Sequence, residues 1–407
     1  MPSDSSIGHA RRRAASLRHA ATYAAVVLVA AAGCDDGPAG PGDKKRDPID
    51  PELAAQGRQI FRHDDFGDAA FWTDTLRLHE LVEQVDPRTA LQLGLKVDAD
   101  AVPPAVLQAV LADTSALSDP ATTRALLALD AVVGLKATVE GERVARIGVT
   151  CALCHSTVDD AVAPGIGGRL DGWPNRDLAV GTIVSLTPGL PEELRSTYAS
   201  WPAGWFDPRF NVDGISDPVL IPPAYGLDGV EFETYTGDGP VSYWNNYVAV
   251  VEMHGRGSFS DPRLGIDIQV PEDQDLVKDK LLPLFHYQRT LAAPPPPAGS
   301  FSAEAAALGE ELFEGAARCA ECHQGPGLSG DELHAPARTG MDPAYARRSA
   351  TGLYRATPLR GLWQHAPYFH DGSAATLADV VAHYDAHLNL GLTAEERARL
   401  VEYLGSL

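Results

Sequence analysis

The chain has 407 residues, of which 55 are Asp or Glu and 33 are Lys or Arg, for a formal net charge of −22. The length predicts two or three domains, and the ordinary hydrophobic content leaves enough apolar residues for a core in each. So negative a chain repels phosphate backbones, which argues against nucleic acid as a partner and favours a basic protein or a neutral small molecule.

The first 33 residues read as a secretory signal. Arg11, Arg12, Arg13 and Arg18 form a basic start, and an apolar run from about Ala20 to Ala32 follows. That run is shorter than the roughly 20 apolar residues a bilayer span needs. Its end, Ala31-Ala32-Gly33-Cys34, resembles a bacterial lipoprotein signal, with Ala31 where that pattern usually has Leu. The resemblance implies an extracytoplasmic protein anchored to a membrane by a lipid on Cys34. The alternative is ordinary cleavage nearby, with Cys34 left as a free thiol. Residues 35–50, "DDGPAGPGDKKRDPID", are charged and rich in Gly and Pro, and with Cys34 read as a flexible tether over 34–50.

An N-terminal unit is expected over residues 51–290. It opens with "AAQGRQIF", whose Gly57-x-x-x-Phe61 spacing recurs later as Gly309-x-x-x-Phe313. A long insertion, about 66–145, follows, and its segments "AFWTDTLRLHELVEQV" and "PPAVLQAVLADTSALSDPATTRALLALDAVVGLKA" are helical by period and composition. Such an insertion suits either a substrate channel or a docking surface. Residues 156–290 are aromatic and rich in Gly and Pro, and read as loops folded over a cofactor with few long helices. A proline-rich linker, "LAAPPPPAGS" at 291–300, precedes a C-terminal unit over 301–407. There Ser302 caps a helix with Leu308, Leu312 and Phe313 on one face. Thr393 and Glu396 form a capping box for a last helix that packs inward through Leu400, Val401, Tyr403 and Leu404.

The cysteines carry the chemistry. Apart from Cys34, all four lie in two copies of one motif, Cys151-Ala152-Leu153-Cys154-His155 and Cys319-Ala320-Glu321-Cys322-His323. Cys-x-x-Cys-His is the attachment signature of c-type haem. Two thiols one turn apart meet the vinyl groups on one porphyrin edge, and the adjacent His ligates iron from the proximal side. Disulfides would not need a His after each pair, and the pairs lie too far apart in sequence for a typical four-cysteine zinc site. Two covalent haems, with His155 and His323 as iron ligands, are therefore expected.

With those motifs in place, "ATPLRGLWQHAPYFHDGSAATLADVVAHY", Ala356 to Tyr384, resembles the C-terminal signature of bacterial dihaem cytochrome c peroxidases. That group includes the dihaem maturase of methylamine dehydrogenase and the dihaem rubber oxygenases. The resemblance implies a mainly α protein of two class I cytochrome c-like domains, each with one covalent haem. In that fold the terminal helices cross at a small residue, and Gly309 and Tyr403 are the matching positions. It also implies His323/Tyr384 coordination at the second haem. Tyrosinate favours ferric and higher oxidation states. Tyr384 also lies on an apolar face with Leu377, Val380, Val381 and Leu388, where a core tyrosine is the other reading. His383 and His387, at i and i+4, make at most a weak zinc site, and His370 suits orientation of the turn or of a haem propionate.

The same resemblance makes the first haem the reaction centre for hydrogen peroxide or oxygen. Glu252 and His254 are the candidate acid–base groups there, and Asn245 and Asn246 the candidate polar donors. Met253 or His254 is a possible iron cap, and Trp244 either an electron relay or a core residue. The Gln and Glu pattern of ordinary peroxidases is not matched cleanly in this segment. The expected activity is an extracytoplasmic peroxidase-like haem oxidoreductase with a small redox protein as partner. Alternatives are a dihaem electron carrier without turnover, or an oxygenase acting on an apolar substrate. A calcium ion, present in relatives, has no evident ligands in this sequence.

Overall fold

A computed structural model describes residues 48–325 and 327–407. The signal segment, Cys34 and most of the tether lie outside the described residues. No helix among those described is long and apolar enough to cross a membrane.

Two crossed helix pairs frame the molecule. In the first, helix Pro51–His63 packs on helix Leu281–Thr290. Asp50 starts the former by accepting hydrogen bonds from the backbone N–H of Glu52 (2.8 Å) and Leu53 (3.2 Å), with Pro51 in the first turn and Arg62 and His63 in the last. Each feature offsets the unpaired groups and dipole of a helix end. In the second pair, helix Ala303–Glu314 packs on helix Ala394–Ser406. The contact point is alike in both. A Cβ on Gly57 would overlap the Pro283 carbonyl and lie 2.7 Å from Tyr287 Cβ. One on Gly309 would overlap the Arg399 carbonyl and lie 2.8 Å from Tyr403 Cβ. Phe61 meets Tyr287 edge-on at 5.5 Å, and Phe313 meets Tyr403 at 5.2 Å. The Gly-x-x-x-Phe spacing in the sequence is thus a repeat in space. The partner of its first copy, the Leu281–Thr290 helix, lies in a region that reads as loops from sequence.

The insertion is helical in its first part only. Short helices at Leu78–Val82, Pro87–Gln92, Pro104–Ala112 and Pro120–Ala128 give way to an antiparallel hairpin of Leu135–Glu140 and Arg143–Val149. The stretch is mostly helical as far as Ala128, and only its end, read as helix to Ala137, is a hairpin strand instead. The segment "KATVEGERVARIGV" alternates β-branched with polar residues, and Gly141 adopts φ +62° in the turn. A two-residue loop of that kind suits the twist of a hairpin. Thr73 binds the hairpin through its hydroxyl, which donates to Ile147 O and accepts from Ile147 N–H, both at 3.0 Å. The second strand then runs directly into Cys151.

Elsewhere in the first half, short helices alternate with two-stranded sheets. The main core gathers Phe61, Phe66, Ile147 and Leu284, and a second gathers Phe313, Val381, Leu400 and Tyr403. Leu308 departs from its expected place in that second core. It is 36% exposed, and the buried face of its helix is Ala306, Gly309 and Phe313. The caps expected at Ser302 and Thr393 are present, the latter as a full capping box, and Thr376 forms a second such box with Asp379. Segment 291–300 is irregular. It is pinned by Trp363 Nε1–H donating to Pro294 O at 3.2 Å and Gly226 N–H donating to Leu291 O at 2.7 Å. The two halves are further joined by Arg348, buried against Asp207 (3.0 Å) and Asp213 (2.7 Å).

Candidate haem sites

None of the four motif cysteines is in a disulfide. Around the second pair lies a cavity of about 580 Å³. Cys319, Cys322 and His323 form part of its wall, together with Phe313 and Leu400 from the crossed helices. Arg318 takes a left-handed conformation, φ 58°, and starts the tight turn Cys319–Glu321 that brings both thiols together. His323 Nδ1 lies 2.9 Å from Leu328 O. A hydrogen bond there assigns the ring proton to Nδ1, the tautomer in which Nε2 can bind a metal. Burial lowers the pKa of His323, so the ring is neutral, as a ligand must be.

Helix Leu377–Leu388 supplies another wall. Leu377, Val380, Val381, Tyr384 and Leu388 all line the cavity, so the apolar face of the sequence is the cavity face. Five tyrosines line this space. Tyr225 bonds His365 Nε2 (2.9 Å), Tyr235 donates to Leu220 O (3.1 Å), Tyr354 to Asp342 O (2.6 Å) and Tyr368 to Leu362 O (3.0 Å). The Tyr384 hydroxyl has no hydrogen-bond partner among the described residues. Burial and the nearby thiols of Cys322 and Cys319 push its pKa up to about 12. A cation in the cavity would reverse that shift. Two cysteines, a neutral imidazole, an unbonded phenol and apolar walls fit a c-type haem.

The first motif is held tightly. Its thiols are buried, which pushes both up to about 12. His155 is pushed down to about 4 by burial and is therefore neutral. Its Nδ1 lies 3.1 Å from Pro222 O, which favours the same tautomer. Asn175 clamps the motif, its N–H donating to Cys154 O at 2.8 Å. Gly134, at φ +82°, lets the backbone pass against Leu153 where any side chain would collide. Pro222 itself lines the second cavity, so the two motif sites are neighbours.

The other candidate residues divide. Glu252 and Trp244 come together around Arg209, which sequence reading missed. The Arg209 guanidinium lies 5.1 Å from the rings of Trp244 and Tyr247 and pairs with buried Asp238. Glu252 ends a π-helical turn, Val248–Glu252. Burial raises its pKa well above the ordinary carboxylate range, against the opposing pull of Arg209, which favours the protonated carboxyl. Asn211 Nδ2 donates to its Oε2 at 3.3 Å, and its Oε1 has no partner. His254 does not join this group. It is exposed, in a left-handed conformation at φ 61°, and stacks on Phe71 at 3.8 Å. Met253 is buried, and its carbonyl accepts from Trp72 Nε1–H at 3.1 Å. Asn245 bonds Gln288 (2.7 Å) and Asn246 bonds Ser258 O (3.1 Å).

Trp244 is a core residue stacked on Arg209. The tryptophan near both motifs is Trp173, whose neighbour Gly172 donates its N–H to His155 O at 2.8 Å. Trp173 meets Tyr225 at 6.3 Å and Trp363 at 5.9 Å. Its place in "GRLDGWPNRD", just after the first motif, was the available signal. His383 and His387 have their Nε2 atoms 3.1 Å from Thr339 O and Ala337 O. Among the described residues no group of three or more His, Cys, Asp or Glu could hold a metal ion. His370 is buried among Tyr345, Tyr354 and Tyr235 and also lines the second cavity.

A family model described as RoxA-like, cytochrome c-like matches residues 352–385, the stretch that ends beside Tyr384. The chain is 32% identical over 111 residues to the cytochrome c551 peroxidase of Nitrosomonas europaea. That match covers 24% of this chain and 33% of the relative, so the chain spans about a third of the length of the curated protein it matches. Two solved structures are similar at lower levels. One is a hydrazine synthase of Kuenenia stuttgartiensis, 17% identical, TM-score 0.33, over 47% of this chain and 73% of that one. The other is a MauG-like protein associated with microbial copper homeostasis, 20% identical, TM-score 0.33, over 47% and 74%. At these TM-scores the likeness is too weak to define the fold.

Proposed function

We infer that this chain belongs to the family of dihaem cytochrome c peroxidases and RoxA-like proteins and is a two-haem redox enzyme that reacts with hydrogen peroxide or oxygen. The observation that carries the reading is the second cavity, whose wall gathers Cys319, Cys322, His323 and the unbonded hydroxyl of Tyr384.

Bound haem supplies one-electron chemistry at iron, and the protein supplies attachment, ligands and access. Cys319 and Cys322 offer thioether links and His323 a proximal nitrogen, held in orientation by Leu328 O. Tyr384 is the second iron ligand of this site in our reading. Cys151, Cys154 and His155 attach the other haem, with Pro222 O orienting the imidazole. Glu252 holds a proton on a buried carboxyl, and its unpartnered Oε1 is the atom from which that proton can be given up. Trp173 and Tyr225 form the aromatic step between the sites. An electron-transfer protein as redox partner, export through residues 1–33 and a lipid on Cys34 complete the proposal.

Spectroscopy of the purified holoprotein tests it. A high-spin ferric signal that shifts on adding peroxide, cyanide or carbon monoxide (the last after reduction) supports the enzyme. Two low-spin haems inert to all three would make the protein an electron carrier instead.

A further inference from the structure

Two consecutive residues, Asn175 and Arg176, touch the two motif sites, one each. Asn175 holds the first through Cys154 O (2.8 Å) and, with its side-chain amide, Leu153 O (3.4 Å). The next residue, Arg176, lines the cavity beside Cys319, Cys322 and His323. Its Nη2 donates to His365 O at 3.3 Å, while its Nε and Nη1 are covered and have no partner. No carboxylate among the described residues pairs with it, although the chain carries 55 acidic residues. Three other arginines on the same wall are matched to carboxylates. Arg355 lies 3.6 Å from Glu233, Arg318 lies 2.7 Å from Glu321, and Arg338 lies 3.8 Å from that same Glu321. A guanidinium removed from water and left without an anion is costly, so a site built this way is complete only when an anion occupies it.

The occupant has to be apolar over most of its surface, to suit the leucines, valines and aromatic rings of the wall, and has to carry a carboxylate at one edge. We propose that Arg176 binds a propionate of the haem attached at Cys319 and Cys322, and so ties that haem's edge to the strand of chain that clamps the first motif. This rests on the two-haem reading above. Planar guanidinium donors match a carboxylate in two-point geometry, and an ammonium keeps the charge of that contact while losing part of its fit. A neutralised propionate also places less negative charge near the iron, which favours the ferrous form.

The test compares wild type, R176Q and R176K as purified holoproteins, by haem content and by spectroelectrochemical titration. In R176Q one of the two midpoint potentials falls while the other holds, and R176K recovers most of the loss because the charge is retained. Should R176Q carry a single haem, or fail to accumulate, two haems in R176K support the clamp. Unchanged potentials in R176Q overturn it. So does an equal defect in R176Q and R176K, which would mean that shape and not charge matters at this position. Wild-type protein with fewer than two haems defeats the two-haem reading itself, whatever the Arg176 variants do.

Discussion

Tyr384 and Glu252 are the residues whose surroundings differ most from their chemical habits. Four tyrosines around the second cavity give their hydroxyls to protein partners, and Tyr384 keeps its own free. Y384F removes no protein hydrogen bond, so stability measured by thermal denaturation should change by less than about 1 kcal/mol. The ferric spectrum should change outright. The electron paramagnetic resonance signal of a Tyr-ligated low-spin haem disappears, and that haem's potential rises because an anionic donor is lost. An unaltered spectrum would remove Tyr384 from the iron. Glu252 poses a different question. Its folded-state pKa is raised by burial, so the unfolded chain loses a proton that the folded chain retains once pH exceeds the ordinary carboxylate range. The folded state then binds more protons than the unfolded one, and stability falls as pH rises from about 4.5 toward the folded pKa. E252Q should flatten that decline in urea titrations across this range. An unchanged slope would show that other groups produce it.

At the scale of elements, the two helix crossings carry the most specific expectation. A methyl on Gly309 meets a main-chain carbonyl, which cannot rotate away as a side chain can. G309A should therefore destabilise the protein by about 1–3 kcal/mol in chemical denaturation, the usual cost of overpacking. A neutral result would mean that the helices separate freely. Helix starts were legible in the sequence because capping is local. Thr376 with Asp379 and Thr393 with Glu396 close their boxes within one turn. The hairpin before Cys151 was misread because its apolar residues follow a long run of helical periodicity, and its strands are stabilised by Thr73, far away in sequence. Leu308 was misplaced because periodicity defines a stripe and not which edge of the stripe faces inward. Gly309, by allowing the closest approach, rotates the buried face toward Ala306 and Phe313.

Over the whole molecule, the contact between halves matters most. Arg348, from the C-terminal half, sits in a pocket of Asp207 and Asp213 with its side chain 7% exposed and that of Asp207 fully covered. Removing one partner from such a buried group leaves charge without compensation, at a cost of about 3–5 kcal/mol. R348M should cost that much in global stability and increase proteolysis between residues 291 and 300, as read by limited digestion. Stability unchanged within about 0.5 kcal/mol would mean that the halves are held by apolar contact alone.

The sequence by itself determined the haem chemistry, since two thiols and a histidine at fixed short spacing need only one turn of backbone to meet a porphyrin edge. It also determined the caps and the Gly-x-x-x-Phe repeat, which depend on neighbours within a few residues. The tertiary structure alone decided what surrounds those motifs. It brought Pro222 O to His155, Arg176 to the cavity at Cys319 and Arg209 to Glu252, and it left His254 on the surface. Those contacts join residues distant along the chain, and no local periodicity records which of them the folded core will bring together.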